Sequence, residues 1–192
     1  MKPLLLPDAD IFYESNFLET SKCDSLFKTL RTQIAWQQDD IKLFGKTYAQ
    51  PRLTALFAEN KKTYSYSGIK MEPKLFPEEL LILRDQLKRA TGIHFTTCLL
   101  NLYRDGQDSN GWHADNEKEL GENPQIASIS LGAPRFFKLK HNSLKEEKHK
   151  LLLENGSLLL MKGTTQHYWK HEIPKTKKHV GERINLTFRI IK

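Results

Sequence analysis

The chain has 192 residues, 39% of them hydrophobic and 28% charged, which is enough to bury one substantial core and lacks the bias of a disordered segment. Leu4 to Leu6 is the only apolar run near the N-terminus and stops at Pro7-Asp8, so neither a secretory leader nor a membrane span is expected; Cys23 and Cys98 stand far apart, which excludes a disulfide framework or zinc knuckle and fits a reducing cytoplasm. The formal charge of +7 makes a polyanion a natural partner, although a basic balance is also common among proteins that bind none.

In chain order, Ser21 with Asp24 three residues on resembles a capping box, and Leu26, Phe27 and Leu30 follow at helical spacing, which predicts a short helix. From Leu43 to Gly68 the pattern becomes strand-like and aromatic, through Phe44-Gly45, Pro51-Arg52 and Tyr64-Ser65-Tyr66-Ser67-Gly68, as in exposed hairpins or loops. Pro77 opens a second helix with Glu78 and Glu79 in its first turn, Leu80, Leu83 and Leu87 on one face, and Gly92 as its stop. Short strands are predicted next: Phe95 to Tyr103, Ile126 to Leu131, Phe136 to Leu139, Leu151 to Leu153, Ser157 to Met161 and Arg183 to Ile191. This order predicts a mainly β fold with flanking helices, an antiparallel sandwich or jelly roll with the helices packed outside, in one domain. The lysine-rich patches Lys138 to Lys150 and Lys175 to Lys178 are expected to be solvated loops.

His113-Ala114-Asp115 places two metal-ligand side chains two residues apart, on the same face of an extended segment. A distant third ligand would complete the two-histidine, one-carboxylate arrangement that leaves open positions on non-haem iron(II), and His171 is the candidate, with His167 in competition. The triplet alone is weak, because a polar turn explains it as well. The last strand adds more. Arg183, Asn185, Thr187 and Arg189 alternate strictly with Ile184, Leu186, Phe188 and Ile190, so the polar set shares one face. Such a face commonly meets water, but two guanidinium forks flanking Asn and Thr suit a small dicarboxylate. Asn101 and Tyr103, also two apart, can add neutral donors to the same anion, and together these features point to 2-oxoglutarate.

With these residues in place, the chain from about Leu43 onward resembles the AlkB family of oxidative nucleic-acid dealkylases. The matching motifs are Asn101-Leu102-Tyr103 with Asp105-Gly106; Gly111-Trp112-His113-Ala114-Asp115; Ile126 to Gly132; Gly156-Ser157-Leu158-Leu159; His171 before Ile173-Pro174; and R-x-N-x-T-x-R from Arg183 to Arg189. The resemblance implies a double-stranded β-helix with iron(II) held by His113, Asp115 and His171. It places the distal carboxylate of 2-oxoglutarate on Arg183, Asn101 and Tyr103, sets Arg189 and Asn185 near the iron-chelating end, and lets Thr187 line the pocket. Residues 1–94 would then form an N-terminal extension and nucleotide-recognition lid, and residues 95–192 the catalytic core.

On the substrate side, the resemblance to the branch that prefers duplex DNA makes Tyr64, Tyr66 and Ser67 a lid over a flipped base. Phe44, in Leu43-Phe44-Gly45, becomes an apolar wedge into the stack, Arg52 a support for the gap or a phosphate, and Glu117 a contact to an exocyclic amine. Asn116 departs from the acidic residue that this branch carries there. The implied reaction consumes O2 and 2-oxoglutarate, hydroxylates the N-methyl carbon of 1-methyladenine or 3-methylcytosine in DNA, and releases formaldehyde. The implied partner is single- or double-stranded alkylated DNA met by a monomer. RNA or a protein side chain is the alternative substrate, and a non-catalytic nucleic-acid-binding module the alternative class.

Overall fold

The computed structural model describes residues 1–43, 45–59, 64–66 and 69–191, with the side chains of 41–43, 64–66 and 69–71 outside that description. The strands are β1 (Lys2–Leu4), β2 (Asp10–Glu14), β3 (Asp40–Leu43), β4 (Lys46–Ala49), β5 (Leu53–Ala58), β6 (Tyr64–Tyr66), β7 (Ile69–Met71), β8 (Lys74–Leu75), β9 (Thr97–Tyr103), β10 (Asn110–His113), β11 (Ile126–Gly132), β12 (Arg135–His141), β13 (Lys148–Leu153), β14 (Leu158–Lys162), β15 (Trp169–Ile173) and β16 (Arg183–Arg189). The α-helices are α1 (Thr20–Gln33), α2 (Glu78–Thr91) and the single turn α3 (Thr165–Tyr168). No helix among the described residues is long and apolar enough to cross a membrane.

Eight strands form the larger sheet in the order β1-β2-β14-β11-β16-β9-β5-β8, and four form the smaller one in the order β10-β15-β12-β13. This is the expected jelly roll with helices outside. The period of two in β16 turns its apolar residues into one core and its polar residues toward the cavity. Ile184, Leu186 and Phe188 join Leu30 of α1 and Leu80, Leu83 and Leu87 of α2 in one cluster, which binds the helices to the back of the larger sheet. Tyr103, Phe137, Leu139, Met161, Trp169 and Ile173 form the second cluster, between the sheets. Every residue of β16 is buried, so its polar face is a wall of the interior rather than a wet surface. Truncating one of the core leucines to alanine removes packing worth about 2–5 kcal/mol.

The helices begin and end for local reasons. α2 follows Pro77, carries Glu78 and Glu79 at its positive end and stops at Gly92, whose φ of 75° is the left-handed conformation that glycine adopts without strain. The expected capping box at Ser21 does not form. α1 starts two residues earlier, at Thr20, behind Glu19 as N-cap, with no side-chain cap bond.

The lysine patch from 138 to 150 is also not a loop. β12 and β13 pair from Arg135↔Leu153 to Lys140↔Lys148, leaving residues 142–147 as the connection. Alternation lets each strand bury Phe137, Leu139 and Leu153 while its lysines point outward, so lysine content did not prevent strand formation. Strands from residues 1–94 are built into the larger sheet, β2 beside β14 and β5 beside β9.

Candidate active site

Strand register assembles the site. β10 pairs with β15 so that His113 stands directly opposite His171, and the two rings meet edge-on with centroids 4.2 Å apart. Asp115 follows β10 and turns back into the sandwich. Ligand atoms of His113, Asp115 and His171 all lie within 4.8 Å of one another. His167 faces away, with its ring 3.0 Å from Asn123 Oδ1 on the exposed side of α3.

Several bonds aim these ligands. His113 Nδ1–H donates to the Gly111 carbonyl at 2.7 Å, which leaves Nε2 as the acceptor nitrogen; Asn110 Nδ2 donates to it at 3.1 Å. The Asp115 backbone N–H donates to Gln166 Oε1 at 2.9 Å, and Arg189 Nη2 donates to Asp115 Oδ2 at 2.9 Å. Asp115 Oδ1 is buried without a hydrogen-bond partner among the described residues and stands 3.7 Å from His113 Nε2.

Protonation suits a metal. Burial lowers His171 to about 3, with His113 reinforcing the shift, and burial also lowers His113. Both imidazoles are therefore neutral at physiological pH and offer lone pairs. Burial alone would raise the Asp115 carboxyl, but Arg189 and then the two histidines hold it well below the usual carboxylate range. Two neutral imidazoles and one ionised carboxylate with an orphaned oxygen match the donor set of a non-haem iron(II) site.

A cavity beside this cluster is lined by Asn101, Tyr103, Ser128, Asn185, Thr187 and Arg189 among others. The register of β16 against β9 sets Arg183 opposite Tyr103 and Asn185 opposite Asn101. Arg183 is wholly buried, donates Nη2 to Ser130 Oγ at 2.9 Å and to Asn185 Oδ1 at 2.6 Å, and faces the Tyr103 ring at 5.2 Å from its centroid; its Nε and Nη1 have no hydrogen-bond partner among the described residues at bonding distance. Burial lowers its guanidinium to about 10, which leaves it charged at neutral pH. Asn185 Nδ2 donates to Thr187 Oγ1, and Ser128 Oγ donates to Asn185 Oδ1.

Arg52 is 4% exposed and donates to Asn101 Oδ1 at 2.8 Å and to the Ser109 carbonyl at 3.0 Å. Behind the cavity wall the buried guanidinium groups of Arg52 and Arg183 donate to Asn101 and Asn185 and form no ion pair among the described residues, while Asp115 is already paired with Arg189. That imbalance calls for a bound anion. Glu117 is half-buried beside Asp115, and burial followed by the Asp115 charge raises its carboxyl. Phe44 and Ser67 lie outside the described residues, and Tyr64 and Tyr66 are placed by their backbone alone, on β6 paired with β7.

Sequence reasoning did not single out Asn110, Ser128, Ser130 or Gln166. The two serines carried a signal, since polar residues at alternate positions of a strand as apolar as β11 must face something polar. Gln166 carried none, because only the fold brings α3 against the loop after β10.

A sequence profile described as the 2OG-Fe(II) oxygenase superfamily matches residues 10–189. The chain is 40% identical to the Bos taurus protein named Alpha-ketoglutarate-dependent dioxygenase alkB homolog 3, over 91% of this chain and 64% of that protein. It is 34% identical to the Homo sapiens protein named DNA oxidative demethylase ALKBH2, over 89% of this chain and 69% of that protein. The chain therefore spans just under two thirds of the alkB homolog 3 relative. A solved structure described as "The structure of OsALKBH1" superimposes with a TM-score of 0.67 at 19% identity, covering 97% of this chain and 99% of that one, and supports the fold. The chain belongs to the 2OG-Fe(II) oxygenase superfamily and, within it, to the AlkB homologues.

Proposed function

We propose that this protein is an oxidative demethylase of N-alkylated bases in DNA, dependent on iron(II) and 2-oxoglutarate. The observation that carries the reading is the pairing of two incomplete groups: a His113–Asp115–His171 cluster with an orphaned carboxylate oxygen, and a buried Arg183 with two guanidinium nitrogens unpaired among the described residues. His113, Asp115 and His171 hold the metal. Arg183, with Tyr103 and the Asn101 amide, holds the distal carboxylate of 2-oxoglutarate. Arg52 occupies the Asn101 Oδ1, so that amide presents its N–H donors to the cavity.

When bound, iron(II) and 2-oxoglutarate supply the oxidation: the 2-oxo acid loses carbon dioxide to give succinate as O2 is consumed, and one oxygen atom reaches the substrate carbon. The chain's own residues prepare that step. Arg189 keeps Asp115 ionised and turned toward the histidines, and Gln166 fixes the backbone that carries it. Phe137, stacked on His171 with centroids 5.0 Å apart, and Met161 and Ile173 wall the site with apolar surface that keeps bulk water out. Glu117 is placed to accept a hydrogen bond from an exocyclic amine. Tyr64, Tyr66 and Ser67 serve as the base lid and Phe44 as the wedge into duplex DNA, on the strength of the family resemblance. Hydroxylation of an N-methyl group gives an N-hydroxymethyl base, which loses formaldehyde without further assistance.

The test is coupled turnover. Succinate and formaldehyde should appear in equal amounts only when iron(II), 2-oxoglutarate and a methylated oligonucleotide are all present. Succinate without formaldehyde would move the oxygenase to another substrate, and neither product would end the catalytic reading.

A further inference from the structure

The outward face of the smaller sheet is unused by this site. Alternation turns Phe137, Leu139 and His171 inward, so Phe136, Lys138 and Lys140 of β12, Lys148, Lys150 and Leu152 of β13, and Lys170 and Glu172 of β15 share the opposite face. The register sets Lys138 directly opposite Lys150, and Lys140 directly opposite both Lys148 and Lys170. Like charges facing each other across a ladder are destabilising. One ion pair relieves this ladder among the described residues, Lys138 to Glu172 at 3.4 Å.

Two aromatic rings stand in the same array, both unusually exposed for their size. Trp112 is 38% exposed with Lys140 Nζ 4.3 Å from its ring centroid, and Phe136 is 42% exposed with Lys150 Nζ 3.7 Å from its own. Trp112 belongs to β10, the edge strand of the sheet, and directly precedes His113, the one cluster residue that reaches the surface. The exposed Trp112 ring therefore stands at the sheet edge beside the point where the cluster meets the surface.

We propose that this outward face docks the backbone of a nucleic-acid strand continuous with the target base, with Lys138, Lys140, Lys148, Lys150 and Lys170 neutralising phosphates and Trp112 and Phe136 stacking on bases. The inference rests on the nucleic-acid reading of the site. Charge complementarity fits any polyanion, but charge interleaved with exposed π faces fits nucleic acid in particular, since every base offers a face to stack on. The lysines spring from neighbouring and alternate positions of a sheet, with backbones about 4.8 Å apart across strands and about 6.8 Å apart between alternate residues along them, a flat array rather than an element that enters a groove. Binding here is therefore independent of sequence and strongly dependent on salt.

The test uses the full chain without iron and an unmodified, fluorescently labelled single-stranded oligonucleotide. In the triple variant Lys138→Gln, Lys148→Gln, Lys150→Gln, the slope of log affinity against log salt should fall in magnitude by about 2, and affinity at about 0.1 M salt should fall on the order of tenfold to a hundredfold. The double variant Lys148→Glu, Lys150→Glu should weaken binding further, and circular dichroism should show that both fold. Addition of oligonucleotide should quench tryptophan fluorescence in the parent and not in Trp112→Leu. A wild-type protein that binds no oligonucleotide, or an unchanged salt slope together with an unchanged quench, would overturn the proposal. Methyl removal is read separately, with a methylated trinucleotide too short to reach this face. Unaltered turnover there beside an unaltered salt slope in the lysine variant sinks the docking face alone, whereas binding through the face without methyl removal sinks the demethylase reading instead.

Discussion

Arg183→Lys tests the pocket at its most deeply buried cation. The wild-type guanidinium is wholly buried, uses Nη2 on Ser130 and Asn185, and has Nε and Nη1 without a partner among the described residues. A carboxylate accepting from both would make two charge-assisted bonds, each contributing about 1.5–3 kcal/mol. Lysine retains the charge and loses the fork, so one such bond disappears. At about 1.4 kcal/mol per decade, 2-oxoglutarate should bind roughly 10–100-fold more weakly. The assay is an anaerobic titration of the iron(II)-loaded protein with 2-oxoglutarate, followed by visible absorption, and a parallel titration with 2-oxobutyrate, which lacks the distal carboxylate. The preference for 2-oxoglutarate over 2-oxobutyrate should shrink by the same factor in the variant, because the missing carboxylate and the missing fork are two sides of one interaction. A folded Arg183→Lys protein that binds 2-oxoglutarate within about twofold of wild type, or keeps the full preference, refutes the assignment.

Gln166→Leu leaves the buried Asp115 backbone N–H without its acceptor and should weaken iron(II) affinity by about 10–100-fold, measured by metal titration, besides costing about 1–3 kcal/mol of stability; unchanged affinity would show that the bond orients nothing. Asp108 is held below the usual carboxylate range because bonds from Arg104 and the charges of Arg104 and Arg135 outweigh the effect of burial. A carboxylate depressed in the folded state adds stability above its unfolded pKa and loses it as pH falls through the folded value. Asp108→Asn should therefore cost about 1–2 kcal/mol near pH 7 in urea denaturation, and the gap from wild type should begin to narrow only below about pH 4 and go on narrowing toward lower pH; a gap that stays constant as pH falls contradicts this. Phe44→Ala should slow repair of duplex more than of single-stranded substrate, and an equal loss on both would remove the wedge.

The legible parts of this molecule were those written in a single stretch of chain. The strict alternation from Arg183 to Arg189 already contained both the buried face and the polar wall, and β16 realises both. His113 and Asp115 were readable from their spacing, and His171 from the motif around it. The parts that stayed hidden depend on distant segments meeting. Arg52 looked like a surface contact until β5 paired with β9 and put Thr54 opposite Asn101, which brings the guanidinium onto the Asn101 amide. Gln166 reaches Asp115 across 51 positions of sequence. Lysine content suggested a loop at 138–150, whereas β12 and β13 need only every second residue to be apolar, and the intervening lysines lie in water.

The most direct test of the central claim is mass spectrometry of the base in an oligonucleotide containing 1-methyladenine, after anaerobic loading with iron(II) and admission of air and 2-oxoglutarate, with His171→Ala alongside. Loss of the methyl group is expected only when iron(II) and 2-oxoglutarate are both present, with no loss in the variant. A methyl group that stays on the base in the complete wild-type reaction, or leaves equally well with His171→Ala, would contradict the central claim.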